Sequence, residues 1–158
     1  MTLITLTIPG KPYAKKRAKA TAFAGRARMY DPAENGKFES QVAAIAIDHF
    51  PTPIPGPVRV KIIAVFEPAA SWSKKKRAEH LHRPHTQKPD LDNVAKAIKD
   101  GLNRIAWGDD SQVADLSVRK SWGLSAQTVV HIEPMEPAPG DWQSIGSLAR
   151  GLIEGASE

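Results

Sequence analysis

A small α+β domain is what this sequence predicts: a mixed sheet of about four strands with two main helices packed on it. Two periodicities lead there. Residues 2–8, 58–66, 113–122 and 128–133 alternate apolar with polar side chains, as strands do, whereas residues 36–50 and 91–105 place apolar side chains on one face of a helix. A chain of 158 residues, 41% of them hydrophobic, is enough for one domain with a usable core.

In order, residues 2–8 set Ile4, Leu6 and Ile8 against Thr5 and Thr7, and Pro9-Gly10 ends this strand. The next stretch, KPYAKKRAKATAFAGRARMYDP, is basic and irregular. Its cations Lys11, Lys15, Lys16, Arg17, Lys19, Arg26 and Arg28 are interleaved with Tyr13, Phe23 and Tyr30. It reads either as a solvated arm or as a phosphate-binding surface. A structureless length beyond ~15 residues favours function or disorder over a passive connector. The helix over residues 36–50 aligns Phe38, Val42, Ile45 and His49. His49, at the edge of that face, reads as a packed or capping histidine rather than a ligand. PTPIPGP then breaks the chain before residues 58–66, a strand whose second face turns apolar at Ile63 and Val65, which predicts an interior position.

Residues 71–87 carry Lys74, Lys75, Lys76 and Arg77 with His80, His82 and His85. Spacing i, i+2, i+5 does not gather three histidines on one helix face, and Pro84 interrupts, so a surface helix and loop is expected rather than a metal site. Residues 113–122 and 128–133, joined by a turn over 123–126, read as a β-hairpin. Beyond Pro134 the composition shifts to PMEPAPGDWQS and a short helical pattern. The expected domain therefore covers residues 1–134. An extension over residues 135–158 is either disordered or packed on a neighbour through Trp142, Ile145, Leu148 and Leu152.

The organising stretch is KPDLDNVAKAIKDGLNRIAWGDDSQV, residues 88–113. On its helix Val94, Ala97, Ile98, Leu102 and Ile105 form one stripe, while Asp92, Lys96, Lys99 and Asn103 point away. Asp90 and Asp92 stand at the helix entry, where a carboxylate can cap orphan N–H groups. Asp109 and Asp110 stand beyond its exit, where a tight turn before a strand would use them. A helix of about fifteen residues spans roughly 22 Å, so the two acidic ends meet only if the chain turns back. Crowded carboxylates repel one another without a cation, and carboxylates holding Mg²⁺ are suited to hydrolysing a phosphodiester.

The pattern D-x-D-N-x-x-K-x-x-x-D at Asp90, Asp92, Asn93, Lys96 and Asp100, followed by Asp109-Asp110 and Gln112-Val113, resembles the RusA family of Holliday-junction resolvases. The resemblance covers this segment closely and residues 2–134 loosely. It implies a RusA-like fold and a Mg²⁺-dependent endonuclease, with Mn²⁺ as an alternative metal, that resolves four-way junctions by paired symmetric nicks in recombination and repair. By the same resemblance Asp90, Asp92, Lys96 and Asp110 are catalytic, the three aspartates hold the metal, and Asp109, Asp100 and Asn93 support them. The basic segment, with Lys15, Lys16, Arg17, Lys19, Arg26 and Arg28, would grip DNA. A two-fold symmetric junction cut on two strands implies a homodimer.

Composition narrows the rivals. There are no cysteines, which excludes thiolate nucleophiles and Cys-ligated zinc. A net charge of +5 favours an acidic partner. No apolar run approaches ~18 residues and no leader pattern opens the chain, so a cytoplasmic, membrane-free protein is expected. The competing readings are a branched-DNA-binding module without catalysis and a Mg²⁺-dependent hydrolase of small phosphate esters. Serine hydrolase chemistry lacks its G-x-S-x-G elbow.

Overall fold

The computed structural model describes residues 2–136. The extension expected over 135–158 thus lies, past its first two residues, outside the described part. The elements are β1 (Ile4–Pro9), β2 (Lys19–Phe23), β3 (Arg26–Tyr30), α1 (Ala33–Ala46), β4 (Val58–Phe66), α2 (Lys74–His80), α3 (Leu91–Leu102), β5 (Val113–Trp122) and β6 (Gln127–Pro134). Single 3-10 turns follow α1 at Ile47–His49 and precede β5 at Asp110–Gln112.

Four strands form one mixed sheet in the order β1-β6-β4-β5, and β2-β3 is a separate ribbon. The α+β class holds, but the hairpin expected of β5 and β6 does not. β5 runs parallel to β4, and β6 lies on the other side of β4, antiparallel to both β4 and β1. The connection crosses the end of β4, where Gly123 N donates to Phe66 O at 2.9 Å and Glu67 Oε1 accepts from Ala126 N at 3.0 Å. Gly123 is required there, because a Cβ would come within 2.4 Å of Val65 Cγ1. Composition explains the placement. β6 offers Val129, Val130 and Ile132 to an interior position, whereas β5 carries Asp115, Ser117, Arg119 and Lys120 and suits an edge.

The core fills one face of the sheet. Leu6, Ile8, Val58, Val60, Ile62, Val130 and Ile132 pack against Phe38, Val42 and Ala46 of α1 and Ala97, Ile98 and Leu102 of α3. Each large side chain buried this way contributes about 1.5–3 kcal/mol. The two helices touch where Gly101 faces Val42, so closely that a Cβ on Gly101 would lie 2.7 Å from Val42 Cβ. On the opposite face Arg59 pairs with Asp115 at 2.7 Å and Glu133 at 2.9 Å.

Other boundaries also moved. α1 begins at Ala33 and ends at Ala46, and the exposed His49 places Nδ1 3.1 Å from Ile45 O, so it caps rather than packs. α3 stops at Leu102 because Asn103 turns extended and Arg104 takes a φ of 67°. The supposedly irregular basic segment contains the β2–β3 ribbon, closed by Ala24 and Gly25, both at positive φ. That two-residue turn matches the twist of the strands. The surface helix expected near residue 74 is α2, but His85 in the following loop is 5% exposed and stacks on Phe66.

Candidate active site

Asp90 occupies the position before the first turn of α3 with extended backbone, yet its side chain makes no capping hydrogen bond. Asp92 lies in the first turn and is exposed. Neither carboxylate has a hydrogen-bonding or ion-pair partner among the described residues, and both stand where the helix dipole favours negative charge. Beside Asp90 is an open cleft of about 490 Å³ lined by Lys11, Arg17, Lys88, Pro89, Asp90 and Asn93, whereas Asp92 lines a groove with Leu91, Lys96 and Leu116. Asn93 is half-buried, and its backbone carbonyl accepts from Lys15 N at 2.9 Å, which ties the basic segment to the helix.

The other acidic candidates are occupied. Asp100 accepts from Lys15 and, at 3.2 Å, from Lys96; Lys15 also reaches Glu39 at 3.2 Å. Burial works against ionising Asp100, but the hydrogen bonds from Lys15 and Lys96 overcome it and hold its carboxyl below the usual range. Lys15, expected on DNA, is instead half-buried in this pair, and its hydrogen bond to Asp100 raises its pKa. Lys96 remains largely exposed at 62%. Asp109 accepts from Ser111 N at 2.8 Å, while Gln112 Oε1 accepts from Asp109 N at 3.0 Å, a reciprocal cap on the turn before β5. These bonds from Ser111 keep its carboxyl acidic. Asp110 Oδ1 accepts from the indole N–H of the fully buried Trp107 at 2.9 Å.

The acidic ends of α3 do not converge within one chain. Lys120 Nζ donates to Gln87 O and Pro89 O, each at 2.6 Å, so the Asp90 end lies beside the finish of β5. Asp110 instead precedes the start of β5. The twelve residues of α3 rise about 18 Å, and Val113 to Lys120 of β5 extend by more than about 20 Å. Among the described residues no three acidic, histidine or cysteine side chains are grouped to hold a metal. Asp90 and Asp92 keep carboxylate oxygens, the donor type a hard divalent cation takes, without a partner among the described residues, Asp90 in the cleft with Lys11 and Arg17 and Asp92 in a groove with Leu91, Lys96 and Leu116.

Of the remaining expected DNA contacts, Lys16 pairs with Glu34 at 3.3 Å and Arg17 lines the Asp90 cleft. Lys19, Arg26 and Arg28 belong to the ribbon, every residue of which is exposed. Its register puts Lys19, Thr21, Phe23, Arg26, Arg28 and Tyr30 on one face, and Ala20, Ala22, Ala27 and Met29 on the other. One side of the ribbon is therefore cationic and aromatic, the other small and apolar. The ribbon's base is held by the buried Asn35, which accepts from Tyr13 OH at 2.6 Å and Lys16 N at 3.0 Å and donates to Lys16 O at 2.9 Å. Lys11 belongs to the basic segment already read as a possible phosphate-binding surface, whereas no local motif marks Asn35 or Lys88 for a site.

Exposed carboxylates at a helix entry, beside cations on a basic α+β domain, are groups that hydrolysis of a phosphodiester would use. The family is more particular: the model described as "Endodeoxyribonuclease RusA" matches residues 9–133, and the chain belongs to that family. It is also 40% identical over 138 residues to "Uncharacterized protein YqaN" of Bacillus subtilis (strain 168), which covers 84% of this chain and 96% of that protein. No helix among the described residues is long and apolar enough to cross a membrane.

Proposed function

We propose that the chain is a Mg²⁺-dependent, structure-selective endonuclease that resolves Holliday junctions by paired symmetric nicks, acting as a homodimer. The observation that carries this reading is that Asp90 and Asp92, alone among the acidic candidates, have no partner among the described residues, Asp90 lining a cleft with Lys11, Arg17 and Lys88 and Asp92 the adjacent groove with Lys96. Bound there, Mg²⁺ supplies a nucleophile at neutral pH and charge relief at phosphorus. Lys11, Arg17 and Lys88 draw the phosphate backbone toward the carboxylates. Lys96, one turn past Asp92 and positioned by Asp100, meets the phosphate from the helix side.

Asp110 enters this scheme across the two-fold axis. Strand β5 is an edge of the sheet, and Leu91, Asp92, Lys96, Leu116 and Val118 line a groove between it and α3. Two copies set antiparallel along that edge would bring Asp110 of each to the Asp90 and Asp92 end of the other. The cationic face of the ribbon then extends the phosphate contacts outward.

A labelled four-way junction incubated with Mg²⁺ is expected to give two symmetric nicks. Junctions left intact across a range of divalent metals would defeat the proposal. The Asp92→Asn control distinguishes it from a binding module, since cleavage should vanish while junction binding stays or tightens.

A further inference from the structure

Beside the acidic end of α3 lies a second cleft that the cleavage chemistry does not use. It has a volume of about 720 Å³, with Phe66, Trp72, His85 and Trp122 in its walls. The rings are in continuous contact: His85 packs on Phe66 with centroids 3.9 Å apart and on Trp122 at 4.3 Å, and Trp72 meets Trp122 at 5.1 Å. Lys11, Lys76 and Lys88 add positive charge, with Lys76 Nζ 4.1 Å from the centre of the Trp72 ring. Lys11 and Lys88 also line the cleft that contains Asp90, so the two cavities adjoin through these lysines.

The His85 imidazole is buried in the wall, and its Nδ1 has no partner among the described residues. Burial first, and the charge of Lys120 next, lower its pKa, which leaves an uncharged ring in the wall and the positive charge on lysines. Glu67, a carboxylate in the lining, is already bonded to Ala126 N. Gln87 lines this cleft and offers an amide donor and acceptor.

The partly exposed Trp72 ring, backed by the buried Phe66, His85 and Trp122 and bordered by ammonium groups, suits a flat heterocycle carried on a phosphate chain. We propose that this cleft takes one unstacked nucleobase of the DNA, adjoining the phosphate presented to Asp90 and Asp92, an inference that rests on the nuclease reading above. Bases at a branch point have lost a stacking neighbour, so drawing one out costs less there than inside a duplex. Capture of a base would then favour branched over continuous DNA without reading its sequence.

The test is junction binding without divalent metal, using intact junctions and junctions with a single abasic residue at each position around the branch. One abasic position should weaken wild-type binding about tenfold. Trp72→Ala should weaken the intact junction equally and that abasic junction no further, while Trp72→Phe retains most of the affinity. If Trp72→Ala fails to fold, Gln87→Ala at its exposed position carries the same expectation. The inference is overturned if no abasic position matters, or if its effect persists in full in the variant. A second arm separates the two readings: a short oligothymidylate should quench tryptophan emission in the wild type and not in Trp72→Ala. Quenching by a protein that neither prefers nor cuts junctions removes the resolvase reading and leaves the base cleft standing. Junction cleavage without the abasic or quenching response removes the base cleft alone.

Discussion

The two ends of α3 carry the same side chain and use it in opposite ways. At the entry, Asp90 and Asp92 have no partners among the described residues, although a helix start offers N–H groups that a carboxylate could take. Past the exit, Asp109 is spent on capping a turn, while Asp110 rests one oxygen, Oδ1, on the indole N–H of Trp107, which orients the carboxylate proposed to serve the partner's site. A carboxylate with bonded neighbours shapes the backbone; one without them keeps its oxygens for something from solution. That criterion separates Asp90 and Asp92 from Asp109, and Asp110, with one bonded oxygen, stands between them.

The largest expected effect tests that sorting directly. Asp92→Asn should lower junction cleavage by about a thousandfold or more while leaving the melting temperature nearly unchanged. Asp109→Asn should do the reverse, lowering the urea midpoint with cleavage largely retained. Equal responses in both assays would erase the distinction between the two ends. A smaller effect tests how the ends cooperate. Asp92→Asn and Asp110→Asn, each inactive alone, should recover nicking when mixed, because subunit exchange rebuilds one whole site in each mixed dimer. Random exchange would return about a quarter of the wild-type sites, and no recovery would place both residues in one chain's own site or remove Asp110 from it.

The smallest effect concerns the middle of the helix. Because the folded Asp100 carboxyl is more acidic than an ordinary one, its pairing with Lys15 and Lys96 contributes stability that is fully present above the usual value of about 3.9. That contribution disappears as pH falls through the depressed value. Asp100→Asn should therefore lose less stability on acidification than the wild type. Thermal melts taken from pH 7 down to strongly acidic buffer would show it, and parallel curves would mean the ion pair is thermodynamically silent.

Much of this arrangement was legible in the residues, for identifiable reasons. The apolar stripe Val94, Ala97, Ile98 and Leu102 is a local repeat, and it buries as its spacing requires. The alternation in β1 and β4 is equally local. Pairing is not. Nothing within β5 or β6 says that β4 will come between them, so adjacency in sequence was mistaken for adjacency in the sheet. The β2–β3 ribbon escaped notice because alanines fill one face and its turn is Ala24-Gly25 rather than Asn-Gly. Lys15 looked like its basic neighbours until the fold brought it to Asp100, 85 positions away. His85 looked solvent-facing for the same reason: its neighbours Phe66 and Trp122 are remote in sequence.

Strand β1 spans Ile4–Pro9, and its sheet partner is β6, residues Gln127–Pro134. On the ribosome, the opening strand must therefore wait unpaired until nearly the whole domain has been synthesised, and β4 waits almost as long for both of its flanks. Until then the growing chain exposes two apolar strand edges, a window in which chaperone capture or clumping competes with folding.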